Sequence, residues 1–149
     1  MSDLDISALN DECDRNQSWM TALAPDYTLR SFAYPGGAVS IAAKRLLGRR
    51  FSCCRWNEPG INVGSVDVSL LRANKIYSRL DNIAELESLI DENKERGGWL
   101  IFYTHDVSDT PSRYGCTPAE FERVVANAVR AGSKLLSIRN ALGALAFTI

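Results

Sequence analysis

The run Trp99-Leu100-Ile101-Phe102-Tyr103-Thr104 does most to limit what this chain can fold into. Gly97 and Gly98 break whatever precedes it, and His105-Asp106 follows it abruptly. A strand that is apolar at nearly every position is one covered on both faces, as in a parallel sheet layered with helices, whereas a strand with one wet face alternates. Ligands of such α/β folds gather at the carboxyl ends of the strands, so His105, the single histidine of the sequence, stands where a site would be built. A histidine that merely closes a loop at a strand exit is the plainer reading of the same placement.

The rest of the sequence supplies the helices and strands that such a strand needs. Residues Asp5 to Leu23 place Ile6, Leu9, Cys13, Met20 and Leu23 near one helical face, with Pro25-Asp26 closing it. A strand over Leu29 to Tyr34 then runs into Pro35-Gly36-Gly37, a turn where backbone can approach a ligand closely. A helix over Ala38 to Leu47 follows, with Gly48 as its expected stop. Arg50 to Trp56 reads as a strand and Asn57 to Gly64 as its loop; Ser65 to Ala73 fits strand or short helix equally, and Lys75 to Leu80 a short strand. Asp81 or Asn82, with Glu85, opens a helix carrying Ile83, Leu86, Leu89 and Ile90. After Thr104 a long connection, Val107 to Cys116, precedes Thr117-Pro118-Ala119-Glu120, a capping threonine, a first-turn proline and a glutamate that closes the box. Phe121, Val124, Val125, Ala128 and Val129 give that helix its buried face, Gly132 ends it, and Lys134 to Ile138 and Leu145 to Ile149 read as two more strands.

Strands alternating with amphipathic helices argue an α/β fold with a parallel sheet, in one domain spanning residues 1–149. About four or five β-α units are too few for an eight-unit barrel of ~250 residues, which leaves an open sheet or part of a barrel. The net charge of -1 offers no basis for nucleic acid or an anionic membrane as partner. No signal peptide opens the chain and no apolar stretch approaches ~18 residues, so the expected location is cytoplasmic. The four cysteines, Cys13, Cys53, Cys54 and Cys116, fit no zinc spacing and read as small buried residues in a reducing compartment.

Three segments together resemble a known family. Leu29-Arg30-Ser31-Phe32-Ala33-Tyr34-Pro35-Gly36-Gly37 resembles the third motif of the polysaccharide deacetylases, the NodB-homology or carbohydrate esterase family four group. Trp99 to Asp106 resembles their fifth motif, an apolar strand ending in histidine, and Tyr114 to Phe121 the loop and helix start that follow it in some bacterial members. The resemblance covers about Leu29 to Ile138 and implies a partial (β/α) barrel of the NodB-homology type, the C-terminal portion of such a domain. The family hydrolyses acetyl groups of carbohydrates, cleaving non-peptide carbon–nitrogen bonds, with zinc or another divalent ion held by an aspartate and two histidines. A second aspartate acts as base on the metal-bound water. By the resemblance His105 is the leaving-group acid, Asp67 its orienting carboxylate, and Tyr34, Pro35, Gly36 and Tyr103 line the sugar site, with the Gly36 N–H facing the oxyanion.

The sequence departs from the pattern at the metal. It has neither the Asp-Asp strand nor the His-x-x-x-His segment, and one histidine cannot supply two imidazoles. Asp3 stands where one of those histidines would fall, and Ala33 where an arginine is frequent. No metal or other cofactor is therefore expected on this chain, and a chain without turnover of its own follows. A non-catalytic carbohydrate-binding or partner-assembly remnant is the alternative, with Tyr34, Trp56, Trp99, Tyr103 and Tyr114 as stacking faces. A half-barrel exposes strand edges and an apolar face, so self-association or a covering partner is also expected. A free-standing enzyme using His105 and Asp106 is disfavoured, because adjacent strand residues point apart.

Overall fold

A computed structural model describes residues 5–145. Asp3 and residues 146–149 of the last expected strand lie outside the described residues. The chain is a mixed α/β fold whose named strands pair in parallel, in two ladders of two strands each, and the described strands close no barrel. Its contacts divide it into two compact units: one runs to Trp56 and adds Asp67–Leu71, the other holds Asn57–Val66 and continues from Arg72.

In the first unit, α1 (Ile6–Leu23) buries Leu9 and Cys13, while Trp19 and Leu23 are exposed, so only the front of the expected stripe is covered. β1 (Ser31–Ala33) pairs with β2 (Cys53–Arg55), Ser31 beside Cys53, and Arg55 bridges onward to Leu71 in parallel. Between β1 and β2 runs α2 (Ile41–Arg50), whose first turn is capped by the Ser40 hydroxyl accepting from the Ala43 N–H at 3.1 Å. The expected stop at Gly48 is not a stop, because the helix continues to Arg50. A Cβ at Gly48 would lie 2.4 Å from Ser69 Oγ, so the glycine serves close approach of the short 3₁₀ turn Val68–Leu70 instead of termination. That turn and the Leu71 bridge are what the ambiguous Ser65 to Ala73 stretch becomes. Leu9, Cys13, Tyr34, Ala43, Leu47, Phe51 and Cys54 form the core.

The second unit pairs β3 (Asn74–Lys75) with β4 (Phe102–Tyr103), Asn74 beside Phe102. Only Lys75 of the expected Lys75 to Leu80 strand is in the ladder; Ser78–Leu80 is a 3₁₀ turn. Two helices cover this pair, α3 (Ile83–Arg96) and α4 (Pro118–Arg130). The capping box expected at Asn82 and Glu85 does not form, since Asn82 Nδ2 donates to the Lys75 carbonyl at 3.0 Å and ties the helix start to β3. The box at α4 does form: Thr117 Oγ1 accepts from the Glu120 N–H at 3.3 Å, and Glu120 Oε2 accepts from the Thr117 N–H at 2.8 Å. Glu87 on α3 takes a two-pronged bond from Arg123 on α4, at 2.6 and 2.7 Å, beside a core of Ile76, Ile83, Leu86, Ile90, Cys116, Val124 and Ala128.

The strand expected over Lys134 to Ile138 is absent. Ser137 instead caps α5 (Ile138–Ala144), its hydroxyl accepting from the Asn140 N–H at 3.2 Å, and Leu135 and Leu136 lie exposed. The loop Asn57 to Gly64 is held by two buried asparagines. Asn62 Nδ2 donates to the Arg72 and Trp99 carbonyls, both at 3.0 Å, and its Oδ1 accepts from the Arg72 N–H at 2.9 Å. Asn74 accepts from the Gly60 N–H at 2.8 Å and donates to the Gly60 carbonyl at 3.0 Å. All four cysteines are free and buried, as expected of thiols that fit no zinc spacing. Among the described residues no helix is long and apolar enough to cross a membrane.

Candidate functional site

The parallel ladder of β3 and β4 fixes where His105 emerges. Ile76 N–H donates to the Tyr103 carbonyl at 2.9 Å, so Tyr77 and His105 leave the carboxyl ends of neighbouring strands. The Val107 to Cys116 connection then folds back on the strand exit. His105 N–H donates to the Tyr114 carbonyl at 3.0 Å and Cys116 N–H to the Asp106 carbonyl at 3.0 Å, with Val107 and Cys116 forming a parallel bridge. These bonds bring four rings from three segments together. His105 lies 5.4 Å from Tyr114 and 6.0 Å from Tyr77, centroid to centroid, and Tyr77 also meets Tyr103 edge-on at 5.9 Å. Tyr77 is buried, Tyr103 half-buried, and His105 and Tyr114 are exposed. The imidazole makes no hydrogen bond to a described residue, which leaves it open to a ligand.

Asp106 is not the partner of its neighbour. Its carboxylate accepts from the Ser112 N–H at 2.9 Å and from the Ser112 hydroxyl, and these bonds, the hydroxyl's foremost, hold its pKa below the usual carboxylate range. The divergence expected of adjacent residues is thus what the fold uses: one side chain faces the rim, the other organises the loop. Gly115 makes this packing possible, since a Cβ there would sit 2.4 Å from Asp106 Oδ1 and 2.6 Å from its Cγ. Gly115→Ala is expected to destabilise the chain by about 1–3 kcal/mol, by forcing Asp106 off Ser112. Urea denaturation of the variant against the parent measures it, and an unchanged midpoint would contradict the packing described.

The first unit holds the other expected residues. Tyr34 leaves the carboxyl end of β1, but it is buried with its hydroxyl donating to the Ser69 carbonyl at 3.0 Å, and burial, helped by the neighbouring Cys54, pushes its pKa up. It is a wall of its unit and offers no open stacking face. Pro35 and Gly36 are exposed in a 3₁₀ turn where Gly36 has φ of 61°, a backbone that glycine adopts without strain. The turn's own bonds run from Gly37 N–H to the Tyr34 carbonyl at 3.0 Å and from Ala38 N–H to the Pro35 carbonyl at 3.3 Å, so the Gly36 N–H is not consumed by them. Trp56 Nε1 donates to the Gly37 carbonyl at 2.8 Å and steadies the turn from β2. Asp67 is engaged within this unit: its carboxylate pairs with Lys44 and accepts from the Ser69 N–H at 2.9 Å.

His105, Tyr103 and Tyr114 carry signals in the sequence, whereas Tyr77, Arg79 and Arg113, which complete the rim, carry none. Arg79 Cζ lies 5.9 Å from the Tyr77 centroid and 5.5 Å from that of Tyr114, and Arg113 Cζ lies 5.6 Å from the Tyr114 centroid. Tyr77 stands in a segment that reads as plain strand, and only the fold brings it beside residue 105.

Set against family models, curated proteins and solved structures, the chain matches none. Among the described residues no three His, Cys, Asp or Glu side chains gather where they would hold a metal ion. With one imidazole in the whole sequence, the two-histidine zinc set of complete deacetylases does not fit.

Proposed function

We propose that the chain carries the C-terminal motifs of a polysaccharide deacetylase-like domain, as part of a (β/α) barrel, and that by itself it holds a carbohydrate without hydrolysing it. The observation that supports this reading is the placing of His105: an exposed imidazole at the carboxyl end of a parallel strand, in a rim of tyrosines. That is the position of the leaving-group acid in the family the motifs resemble. The Tyr34-Pro35-Gly36-Gly37 turn stands likewise at the carboxyl end of parallel β1.

Turnover asks for more than an acid. Proton donation by a placed side chain is worth about 10²–10⁴-fold, against the ~10⁶-fold or more that enzymes reach. The larger share of amide hydrolysis in this family comes from an activated water, and the ligand set for its metal does not fit this sequence. His105 without that water can bind and donate a hydrogen bond, and little else.

The test is incubation of the chain, with added zinc, with acetylated oligosaccharides both neutral and acidic. Acetate release is followed together with the imidazole Hε1 resonance of His105, the single histidine of the sequence. A shifted line with no acetate above buffer is expected. Enzymatic acetate release would overturn the inactivity, and a line unmoved by every sugar would overturn the carbohydrate reading. The partner-assembly alternative draws on a different observation: a cleft of about 1110 Å³ bordered by α3, α4 and α5, with Phe121, Leu135 and Leu136 exposed along it. Sedimentation tests whether a second copy of the chain covers that cleft, with self-association expected if so and a monomer at all concentrations if not.

A further inference from the structure

The rim around His105 carries more positive charge than a neutral sugar needs. Tyr114 is exposed, yet its ring is flanked by three nitrogen-rich groups: His105 at 5.4 Å, Arg79 at 5.5 Å and Arg113 at 5.6 Å. Sugar stacking wants an open aromatic face, and this ring instead serves as the support on which two guanidiniums are held. Neither Arg79 nor Arg113 forms an ion pair with a described residue. The carboxylates nearest them along the chain, Asp81 for Arg79 and Asp109 for Arg113, form no ion pair with a described residue, and that of Asp106 is turned to Ser112. Two exposed guanidiniums, each with a planar fork of donors and no carboxylate to satisfy it, are built to take an oxyanion.

We propose that the Arg79, Arg113 and His105 rim binds an oxyanion group, a carboxylate, sulfate or phosphate ester, borne by the ligand, with Tyr114 fixing the two guanidiniums. Together with the carbohydrate reading on which it rests, this makes the ligand an acidic saccharide. The neutral amino sugars of chitin-like polymers would leave both guanidiniums unanswered.

Three probes separate the possibilities by calorimetry and the His105 resonance at low salt: trigalacturonic acid, neutral N-acetylchitotriose and inorganic phosphate. The acidic trisaccharide is expected to bind at least tenfold more tightly than the neutral one and to move the His105 line. The double variant R79Q/R113Q, both positions exposed and outside the core, is expected to lose at least tenfold for the acidic trisaccharide while melting like the parent. Equal binding of acidic and neutral trisaccharides, unchanged in R79Q/R113Q, would overturn the oxyanion site and leave the carbohydrate reading intact. Phosphate binding as tightly as trigalacturonate, and lost in R79Q/R113Q, would uphold the oxyanion site and overturn the sugar reading. No shift with any of the three would overturn the site.

Discussion

An Asn62→Leu chain is expected to lose roughly 2–4 kcal/mol of stability, because leucine fills the space but leaves the Arg72 carbonyl and N–H without their partner and takes one of two bonds from the Trp99 carbonyl. The Arg72 carbonyl, the Trp99 carbonyl and the Arg72 N–H all turn to this one side chain, which is 5% exposed. Asn62 also joins Trp99 through backbone bonds in both directions, at 3.0 and 2.8 Å, so the amide and the main chain together pin the loop to the residue that starts the apolar run. The loss is asymmetric: each buried group left without a partner costs about 1–3 kcal/mol, partly recovered if water enters. Urea denaturation followed by tryptophan emission reads it, since Trp99 is itself the anchoring residue. A midpoint equal to the parent's would show that the clamp is incidental. Asn62→Asp is the informative companion, because the carboxylate can still accept from Arg72 N–H but cannot donate to either carbonyl.

The second large effect belongs to the other unit. Leu47 is fully buried on α2, against a core that includes Phe51, Tyr34 and Cys54, and Leu47→Ala is expected to cost about 2–5 kcal/mol. The range reflects how far the surroundings close over the vacated space. Here the neighbours include Phe32, its ring tilted against that of Phe51 at 5.2 Å, rigid rings that collapse poorly, which places the expectation in the upper half of the range. Small domains are held by about 5–15 kcal/mol in all, so a loss of this size would leave the variant partly unfolded near body temperature. Leu47→Met is expected to stay within about 1.5 kcal/mol of the parent, which separates a volume effect from general intolerance.

What the residues disclosed depended on the range over which each signal acts. The α4 start was legible because Thr117, Pro118 and Glu120 carry out their capping within four residues. The α3 start falls at Asn82 as its residues indicate, but the capping box expected there does not form, because the Lys75 carbonyl, released at the end of a strand, competes successfully for its amide. Gly48 failed as a helix stop for a similar reason. Glycine has two uses, ending helices and admitting neighbours, and only the position of Ser69 tells which applies. The strand expected over Lys134 to Ile138 rested on a short apolar run, which periodicity cannot assign, while the local cap at Ser137 carried the correct reading.

The site divides in the same way. His105 was legible as the polar end of an apolar strand, and the long connection after it as a place where a site is built. The rim was not, because Tyr77 and Arg79 arrive from the adjacent strand and no pattern within either segment registers the pairing of Lys75 with Tyr103.

The four buried thiols make the folded chain chemically quiet. Cys54 shows why: burial pushes its pKa up to about 11, far from the thiolate that alkylating reagents require. Cys13, Cys53 and Cys54 lie in the first unit and Cys116 in the second. A maleimide or iodoacetamide tag can reach either set only when the structure around it opens. The mass and position of tags acquired over time therefore record the opening of each unit separately, on the unmodified sequence and with no probe engineered into it.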